Sequence, residues 1–351
     1  MKVYRNIYLA VFFFLFSIIV FLGALYNFEL SKVSNDATLK TITIEKGSIS
    51  SIAKTLKEND LIKSEFFFKL YIKMTGKNKL IAATYELSPN MGTKKIVDIL
   101  SSKDGANSNL LNITFKEGIN IRKIASIIEE ETNNTSEDVY KLLADKDYLS
   151  NLISKYWFIT DEVLDDRLYY PLEGYLYPNT YSFDSKDVKV ETIFKSMLNE
   201  TEKQLNKYKN DIENSSLSVH ELLTMASMVE LEAVKEEDRK GVASVFYNRL
   251  DSKMTLGSDV TTYYGAKVDM GTKIDMSTCN DYNTRCASFI GLPVGPICNP
   301  DIKSINAVLN PNNTKYYYFV ADKNGDVYFS KTSNEQSNVI YKLKKQGLWL
   351  E

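Results

Sequence analysis

The segment SVHELLTMASMVELEAV, residues Ser218–Val234, is the stretch from which the fold can be worked out. Ser218 and Glu221 form the S-x-x-E pattern of a capping box, which marks the start of a helix. The residues that follow are apolar on almost every side, which is typical of a helix buried on most of its surface. We therefore predict a buried helix at the centre of an α+β protein.

One acid lies within this apolar helix. At about 100° per residue, Glu230 shares its face of the helix with small or apolar residues. These are Val219, Leu223, Ala226, Ser227, Ala233 and Val234. Loss of hydration disfavours a charged carboxyl group, so Glu230 would keep its proton near neutral pH and could act as a general acid. The alternative is a structural ion pair with Arg239 or Arg249. Glu232 projects to nearly the opposite side, where we expect it to reach water.

The composition excludes several classes of chemistry. The 351 residues carry a net charge of −2 without a long Lys/Arg run, so nucleic acid is not an expected partner. The single histidine, His220, which we expect to be partly exposed, excludes metal sites built on several histidines. The cysteines lack C-x-x-C spacing, and no phosphate-binding glycine loop is present. We predict neither a metal nor another cofactor.

The N-terminal part of the chain predicts a membrane anchor. Residues 7–26 form an uncharged, almost wholly apolar run that is long enough to cross a bilayer as a helix. Lys2 and Arg5 lie in the tail that precedes it, residues 1–6, so the positive-inside rule places the N-terminus in the cytoplasm and the rest of the chain outside. The alternative is a cleaved signal peptide, although no convincing small-x-small site follows. Residues 27–39 are polar and predict a tether.

Residues 40–104 predict a compact α+β module. The pattern gives a strand at 41–45, helices at 48–58 and 65–74, a strand at 83–87 and a helix at 94–101. A similar unit follows, in which the strand Ile113–Phe115 leads through Glu117 and Gly118 into a helix at 121–130. This echo of the first strand, its glycine turn and its helix suggests a binding module of repeated type.

Residues 105–351 predict a mixed α/β domain, with a strand–helix part at 105–160 and a core at 161–351. The expected helices are Ser136–Leu152, Val188–Lys207, Glu236–Leu250, a helix capped by Asn299 with Pro300 as its first residue, and Glu335–Lys345. The strands Tyr316–Ala321 and Asp326–Phe329 flank a turn. The segments Tyr169–Tyr181 and Gly257–Thr261 are expected to be loops.

Several motifs occur together in an order that resembles a known family. They are LEGY at 172–175 with Pro178 and Thr180-Tyr181; ASMVE at 226–230 with Glu232; VASVF at 242–246 with NRL at 248–250; Ser258-Asp259 with Thr261; YNT at 282–284; GLP at 291–293 with GPI at 295–297; and YFVA at 318–321. The chain resembles the YceG-like (MltG-type) family of membrane-anchored endolytic peptidoglycan transglycosylases. The resemblance covers nearly the whole chain, including the anchor and a LysM-like module around residues 41–103.

The resemblance implies that Glu230 is the catalytic residue. A lytic transglycosylase cleaves the bond from N-acetylmuramic acid (MurNAc) to N-acetylglucosamine (GlcNAc) without water as the nucleophile and leaves a 1,6-anhydroMurNAc end. One carboxyl group can serve as acid and then as base, whereas ordinary glycosidases need two at a fixed separation. Candidates for substrate contact are Glu173, Tyr175, Ser227, Asp259, Tyr282 and Asn283. For the polar members of this set, the alternative is loop capping and turn formation.

Other expectations also follow from the resemblance. The partners are peptidoglycan strands and peptidoglycan synthases of the penicillin-binding type, and the enzyme would terminate strand growth at the outer face of the cell membrane. Arg285, Val327 and Gln336 stand where family members often carry an aromatic residue or a histidine, which concerns the glycan contacts. Two other functions stay open: a muramidase-type hydrolase with Asp259 or Glu173 as base, and a non-catalytic scaffold that binds the cell wall.

The cysteines leave one question of pairing open. Cys279, Cys286 and Cys298 would lie outside the cytoplasm, where a disulfide is permitted. Their number is odd, so at least one is free or pairs outside the chain. Cys279 and Cys286 could close a short loop, but the sequence does not establish it.

Overall fold

A computed structural model describes residues 2–102, 111–183 and 185–349, with side chains from residue 12 onward. The chain is α+β, as predicted, and divides into two compact units, Met1–Leu110 and Leu111–Glu351. The boundary predicted between residues 104 and 105 lies outside the described residues.

Four helices and two strands lie in the part of the first unit that the structure describes. They are α1 (Lys2–Leu30), β1 (Lys40–Ile44), α2 (Ile49–Glu58), α3 (Glu65–Thr75), β2 (Ala83–Leu87) and α4 (Gly92–Ser101). β1 and β2 pair antiparallel, with Ile42 opposite Tyr85, and their inner faces pack with α2, α3 and α4 around a core that includes Leu56 and Phe68. The strand–helix–helix–strand order follows the sequence pattern closely, while the LysM-like identity of this module stays a prediction.

Helix α1 extends beyond the predicted anchor at both ends. Within it, Phe12–Leu30 is the one stretch of the described chain that is long and apolar enough to cross a membrane, with 19 residues and a mean hydropathy of 1.9. Only 6% of this stretch is buried inside the protein, so its apolar side chains are free to face lipid. A single helix of this kind is compatible with membrane anchoring.

The second unit is predominantly helical. Its elements are β3 (Leu111–Phe115), α5 (Ile121–Glu131), α6 (Ser136–Leu143), α7 (Lys146–Lys155), β4 (Asn179–Phe183), α8 (Val190–Leu205), α9 (Lys209–Glu213), α10 (Val219–Glu232), α11 (Glu236–Asp251), α12 (Asp259–Gly265), α13 (Ile302–Leu309), β5 (Tyr318–Ala321), β6 (Val327–Ser330) and α14 (Ser333–Lys345), with short 3-10 turns at Asp161–Leu164 and Asn206–Tyr208.

Helix α10 lies at the centre of this unit, as its sequence predicts. Ser218 and Glu221 form both hydrogen bonds of the capping box, so the helix begins at the predicted residue. Every residue from Leu222 to Glu230 is buried, and the helix packs against α11, α12 and α13. The three neighbouring helices therefore determine what surrounds Glu230.

Two small antiparallel ribbons complete the unit. β3 pairs with β4, so that Ile113 lies opposite Tyr181, and β5 pairs with β6 across a turn in which Gly325 has a φ of +77°. The predicted unit of strand, glycine turn and helix is present in β3 and α5. Its strand partner, β4, comes from the tyrosine-rich segment that we expected to be a loop.

Four local predictions are wrong. Asp301, not Asn299, caps α13, because its carboxylate accepts from the amides of Lys303 and Ser304, and the helix begins at Ile302 rather than Pro300. The segment Ser136–Leu152 forms two helices, because Asp145 caps a new one. Part of Gly257–Thr261 belongs to α12 instead of a loop, and β4 occupies the end of the tyrosine-rich segment.

Candidate active site

Glu230 lies two residues before the end of α10, and its side chain is almost completely enclosed, with 3% exposed. Three donors surround its carboxyl group. Arg239 donates from Nη2 to Oε1 at 2.9 Å, while the Asp301 amide and the Ser304 hydroxyl donate to Oε2 at 3.0 and 2.8 Å. A carboxylate oxygen has two lone pairs, so Oε2 is fully used and Oε1 keeps one free. A proton on Glu230 therefore belongs on Oε1.

The three donors come from the elements packed against α10. Arg239 lies on α11, while Asp301 and Ser304 occupy the N-cap and first turn of α13. The start of a helix carries partial positive charge and unpaired amides, which favours an anion there. The sequence therefore places a site that can stabilise the charged carboxylate directly against an acid whose pKa burial raises.

Arg239 is shared between two acids. Its Nη1 donates to Asp301 Oδ1 at 2.7 Å while its Nη2 donates to Glu230, and its side chain is only 9% exposed. The ion pair named as the structural alternative is thus present with Arg239. It is absent with Arg249, whose Nε and Nη1 donate instead to the carbonyls of Tyr317 and Leu256.

The shared arginine does not bring the pKa of Glu230 back to its ordinary value. Burial raises the pKa of Glu230 above its ordinary value, and the negative charge of Asp301 adds to the rise. The Asp301 amide, the charge of Arg239 and the Ser304 hydroxyl oppose it but do not cancel it. Two carboxylates beside one guanidinium leave an excess negative charge, which a proton on Glu230 removes. The pairing with Arg239 is therefore compatible with a role as general acid.

The glycine turn between β3 and α5 covers one side of Glu230. Gly118 has a φ of +75°, and a Cβ built on it would lie 3.9 Å from Glu230 Cγ and 3.4 Å from Leu231 Cδ2. The turn is held by Gly118 N bonding to Asn299 O and Asn299 N bonding to Ile119 O, each at 2.9 Å. Gly118 and Leu231 also line a pocket of about 480 Å³ between the start of α5 and α12. This pocket adjoins the helix turn that carries Glu230.

Five of the six predicted contact residues are buried. Glu173, Tyr175, Ser227, Tyr282 and Asn283 are at most 1% exposed, and only Asp259 lies at the surface, where it pairs with Arg285. The buried five contact protein groups in this structure, so they shape the surroundings of the site. Their contact with substrate stays a prediction.

Glu173 is the second fully buried acid near the site. Both of its oxygens accept from the amide of Ile121, at 3.0 and 3.1 Å, and Oε2 also accepts from the hydroxyl of Tyr264 at 2.8 Å. Burial raises its pKa to about 8, although these hydrogen bonds oppose the rise. Glu173 therefore joins the start of α5 to α12 across the interior.

Asn283 organises a loop rather than facing an open groove. Its Oδ1 accepts from Thr262 Oγ1 and the Arg285 amide, and its Nδ2 donates to the carbonyls of Met276 and Thr278. A disulfide between Cys279 and Cys286 closes the same loop, which settles the pairing that the sequence left open. The third cysteine, Cys298, is free and buried. The contacts of the Asn283 side chain are those expected from the alternative, in which it forms a turn.

Three further placements correct or complete the sequence interpretation. His220 is buried rather than partly exposed, since its ring bonds the Tyr175 hydroxyl and the Val294 carbonyl, both at 2.9 Å. Glu232 is half-buried, with the Ser258 hydroxyl donating to it at 2.5 Å, and burial raises its pKa to about 7. Ser227 accepts from the Ile297 amide at 3.0 Å, which fixes the segment beneath α10.

Sequence reasoning missed Asp301 and Ser304. The available signal was Asp301, an N-cap residue type directly before the apolar helical pattern of residues 302–309. Within the described residues, no group of three or more His, Cys, Asp or Glu side chains is placed to hold a metal ion. The groups that surround Glu230 in the described chain are carboxyl groups, one arginine and hydrogen-bond donors.

An α+β fold with an enclosed acid on its central helix is consistent with an enzyme that uses a single carboxyl group. Comparison with known proteins identifies the family. The model of the YceG-like family matches residues 42–342. An endolytic murein transglycosylase of Bacillus subtilis (strain 168) is 39% identical over 88% of this chain and 86% of its own length. A protein of the same name from Streptococcus pneumoniae is 30% identical over 93% of this chain, which spans 64% of that relative.

A solved structure agrees with these relatives. The 2.6 Å crystal structure of a YceG-like protein from Listeria monocytogenes is 36% identical and superimposes with a TM-score of 0.62, covering 86% of this chain and 99% of that one. The chain belongs to the YceG-like family. The family resemblance inferred from the ordered motifs is confirmed.

Proposed function

We propose that this chain is an endolytic murein transglycosylase in which Glu230 is the one acid and base. The activity follows from family membership and from the relatives that carry this name. The observation that supports the role of Glu230 is its enclosed carboxyl group, which has a raised pKa and yet three donors ready for its anion. Such a group can release a proton and take one back.

The reaction needs two proton transfers at one atom. In the first, the proton on Glu230 Oε1 passes to the oxygen that leaves with GlcNAc, and the bond from that oxygen to C1 of MurNAc breaks. In the second, the carboxylate takes the proton of the C6 hydroxyl of the same MurNAc, and O6 forms a bond to C1. Atoms and charge balance without water, and the product ends in 1,6-anhydroMurNAc.

The surroundings of Glu230 serve the charged intermediate state. When Oε1 loses its proton, Arg239, the Asp301 amide and the Ser304 hydroxyl already point at the carboxylate. Donors that need no rearrangement stabilise developing charge at little cost. They also hold the carboxyl group in one orientation between the two transfers.

A hydrolase would need a second carboxylate to activate water. Asp259 is paired with Arg285, Glu173 is sealed beneath α5 and α12, and Asp301 is bound to Arg239 and to two amides of α13. Because each of these carboxyl groups is occupied by protein groups, the transglycosylase is favoured over the hydrolase. The scaffold alternative has no structural observation in its favour.

The location and partners belong to the same proposal. The apolar helix would anchor the chain in the cell membrane, with Lys2 and Arg5 on the cytoplasmic side and the second unit outside. The Cys279–Cys286 disulfide supports an oxidising compartment. There the enzyme would cut nascent strands beside peptidoglycan synthases and terminate their elongation. Co-purification with such a synthase tests the last point separately.

Product analysis tests the activity. The full chain in detergent is incubated with uncross-linked glycan strands, and the fragments are weighed by mass spectrometry. We expect ends one water lighter than hydrolytic ends, none from Glu230→Gln, and wild-type yields from Glu221→Gln, an exposed position on the same helix. Reducing ends would establish a hydrolase instead. If the wild type left the strands intact, the non-catalytic scaffold would be the remaining alternative.

A further inference from the structure

We propose that the pocket between the start of α5 and α12 is a subsite for a carboxylate of the glycan strand, bound by Arg122. The proposal rests on the proposed function for the identity of the ligand. It assigns a recognition role to a part of the molecule that takes no part in the proton transfers.

The pocket lies beside the reacting acid. Its volume is about 480 Å³, within the range of about 300–1,000 Å³ that small-molecule sites occupy. Gly118 and Leu231 form the wall next to Glu230, while Arg122, Tyr264 and Ile297 form other walls. A strand that presents its scissile bond to Glu230 would therefore have this pocket next to it.

Arg122 differs from the other arginines of the described chain. Five arginine side chains are described, and four of them donate to carboxylates or carbonyls: Arg167, Arg239, Arg249 and Arg285. Arg122 is half-buried, lies 5.9 Å from the ring centroid of Tyr264, and makes no hydrogen bond or ion pair with any described residue. Its fork of donors is thus available to a ligand in the pocket.

The charged groups on the walls of the pocket leave it with an excess of positive charge. Glu173 is near enough for Arg122 to oppose the rise of its pKa, but that pKa is still raised to about 8, so the carboxyl group is mostly neutral at pH 7. The remaining charged groups on the walls are Lys123 and Asp269, both exposed. Two cations therefore face one anion in the part of the pocket that the structure describes.

The chemistry of the pocket fits an acid attached to a sugar. A guanidinium matches a carboxylate with two parallel hydrogen bonds, and Tyr263, Tyr264 and Ile297 provide apolar walls for a ring or a methyl group. Two carboxylates of the strand have this character. One is the lactyl carboxylate of MurNAc without its peptide, and the other belongs to the stem peptide.

Steady-state kinetics on three strand preparations test the proposal. The strands carry stem peptides, or free lactyl carboxylates without peptides, or lactyl carboxylates converted to amides. For Arg122→Ala we expect KM to rise about tenfold or more on the strand whose carboxylate is bound, with kcat within about twofold, because a charge-assisted contact is lost. The amidated strand should show no difference. Arg122→Lys keeps the charge but loses the two parallel donors, so its KM should lie between those of the wild type and Arg122→Ala.

The controls separate the possible outcomes. Arg167→Ala, which removes an exposed arginine paired with Asp165, should behave as the wild type on every strand. An effect on peptide-free strands alone identifies the lactyl carboxylate, and an effect on peptide-bearing strands alone identifies the stem. Equal KM values for Arg122→Ala and wild type on all strands, or an equal rise on the amidated strand, would overturn the subsite.

A failure of the proposed function gives a different result. If the wild type cleaves no strand, calorimetric binding of the same three strands to the full chain decides the subsite by itself. A carboxylate-dependent loss of affinity in Arg122→Ala would then still support it, and equal affinities would exclude it.

Discussion

Glu230 and Glu173 are two buried glutamates of the same unit, and they differ in what replaces their lost water. Glu230 is bonded to a guanidinium, an amide and a hydroxyl, with a second carboxylate close by. Glu173 accepts from backbone amides and one hydroxyl, and no guanidinium is bonded to it in the described chain. Burial raises the pKa of both.

The difference is the one we expect between a reactive acid and a structural one. Glu230 can lose its proton and still have a cation and two further donors at its carboxylate, so both of its protonation states are supported. Glu173 has no ion pair, so its charged state is disfavoured and its neutral state serves as a fixed link. A raised pKa alone therefore does not identify the catalytic residue, and the charge of its donors has to be considered as well.

The largest expected contrast is in activity. Glu230→Gln should lower kcat by about a thousandfold, since an amide donates no proton, whereas Glu173→Gln should stay within about tenfold because an amide retains hydrogen bonding to Ile121 and Tyr264. Turnover of uncross-linked strands measures both, with circular dichroism as the check on folding. Comparable losses in the two variants would remove the distinction between the two glutamates.

The next contrast concerns Arg239. Arg239→Met should lower the free energy of unfolding by about 3 kcal/mol, because it leaves Glu230 and Asp301 buried together without their shared cation. The pKa of Glu230 should rise further, so the first proton transfer forms a less stabilised anion. Denaturant unfolding of the full chain in detergent gives the stability. A loss below 1 kcal/mol would mean that the ion pairs of Arg239 contribute little to the free energy of unfolding.

The pH dependence of stability sharpens the role of Glu173. Its pKa is raised to about 8, so between about pH 5 and 8 the folded chain holds a proton that the unfolded chain has released. Stability from this group is therefore lost as pH rises through that window, on the order of 1 kcal/mol per pH unit. Glu173→Gln should lack the loss and become progressively more stable than wild type toward pH 8. Parallel stability curves would refute a neutral Glu173.

The smallest expected effect is a shift of a pH–rate profile. Asp301 raises the pKa of Glu230, and Asp301→Asn removes that charge but keeps an oxygen for Arg239 and the α13 amides. The pKa should fall, so kcat/KM, which requires protonated Glu230, should decline at lower pH than in wild type. Asp326→Asn, which disrupts only a surface pair with Lys235, serves as the control. If the alkaline limb of the profile did not move, Asp301 would have no influence on the pKa of Glu230.

Local patterns were sufficient for most helices but not for contacts between distant segments. The capping box at Ser218 fixed the start of α10, and β2 was predicted with its observed bounds. β4 was missed because its strand character depends on pairing with β3, far away along the chain. Burial of His220 was missed for a similar reason, since its partners Tyr175 and Val294 come from other loops.

The site shows the same limit. The sequence identified Glu230 as an acid in apolar surroundings and named Arg239 among its two possible partners. It could not show that Asp301 would share this arginine, because that depends on where α13 begins relative to α10. Nor could it rank Glu173 and Asp259, since exposure differs between them only after folding.

The unpaired Cys298 has a consequence for how the chain matures. Three thiols allow three pairings, and the native one leaves Cys298 packed against α10, where its Sγ donates to the carbonyl of Ser227. Burial raises the pKa of this thiol, so once enclosed it is withdrawn from exchange. The fidelity of oxidation is therefore a matter of timing. If the interior closes first, only Cys279 and Cys286 can form a disulfide. Oxidation before that point would let Cys298 pair with either of them, which would prevent the second unit from closing.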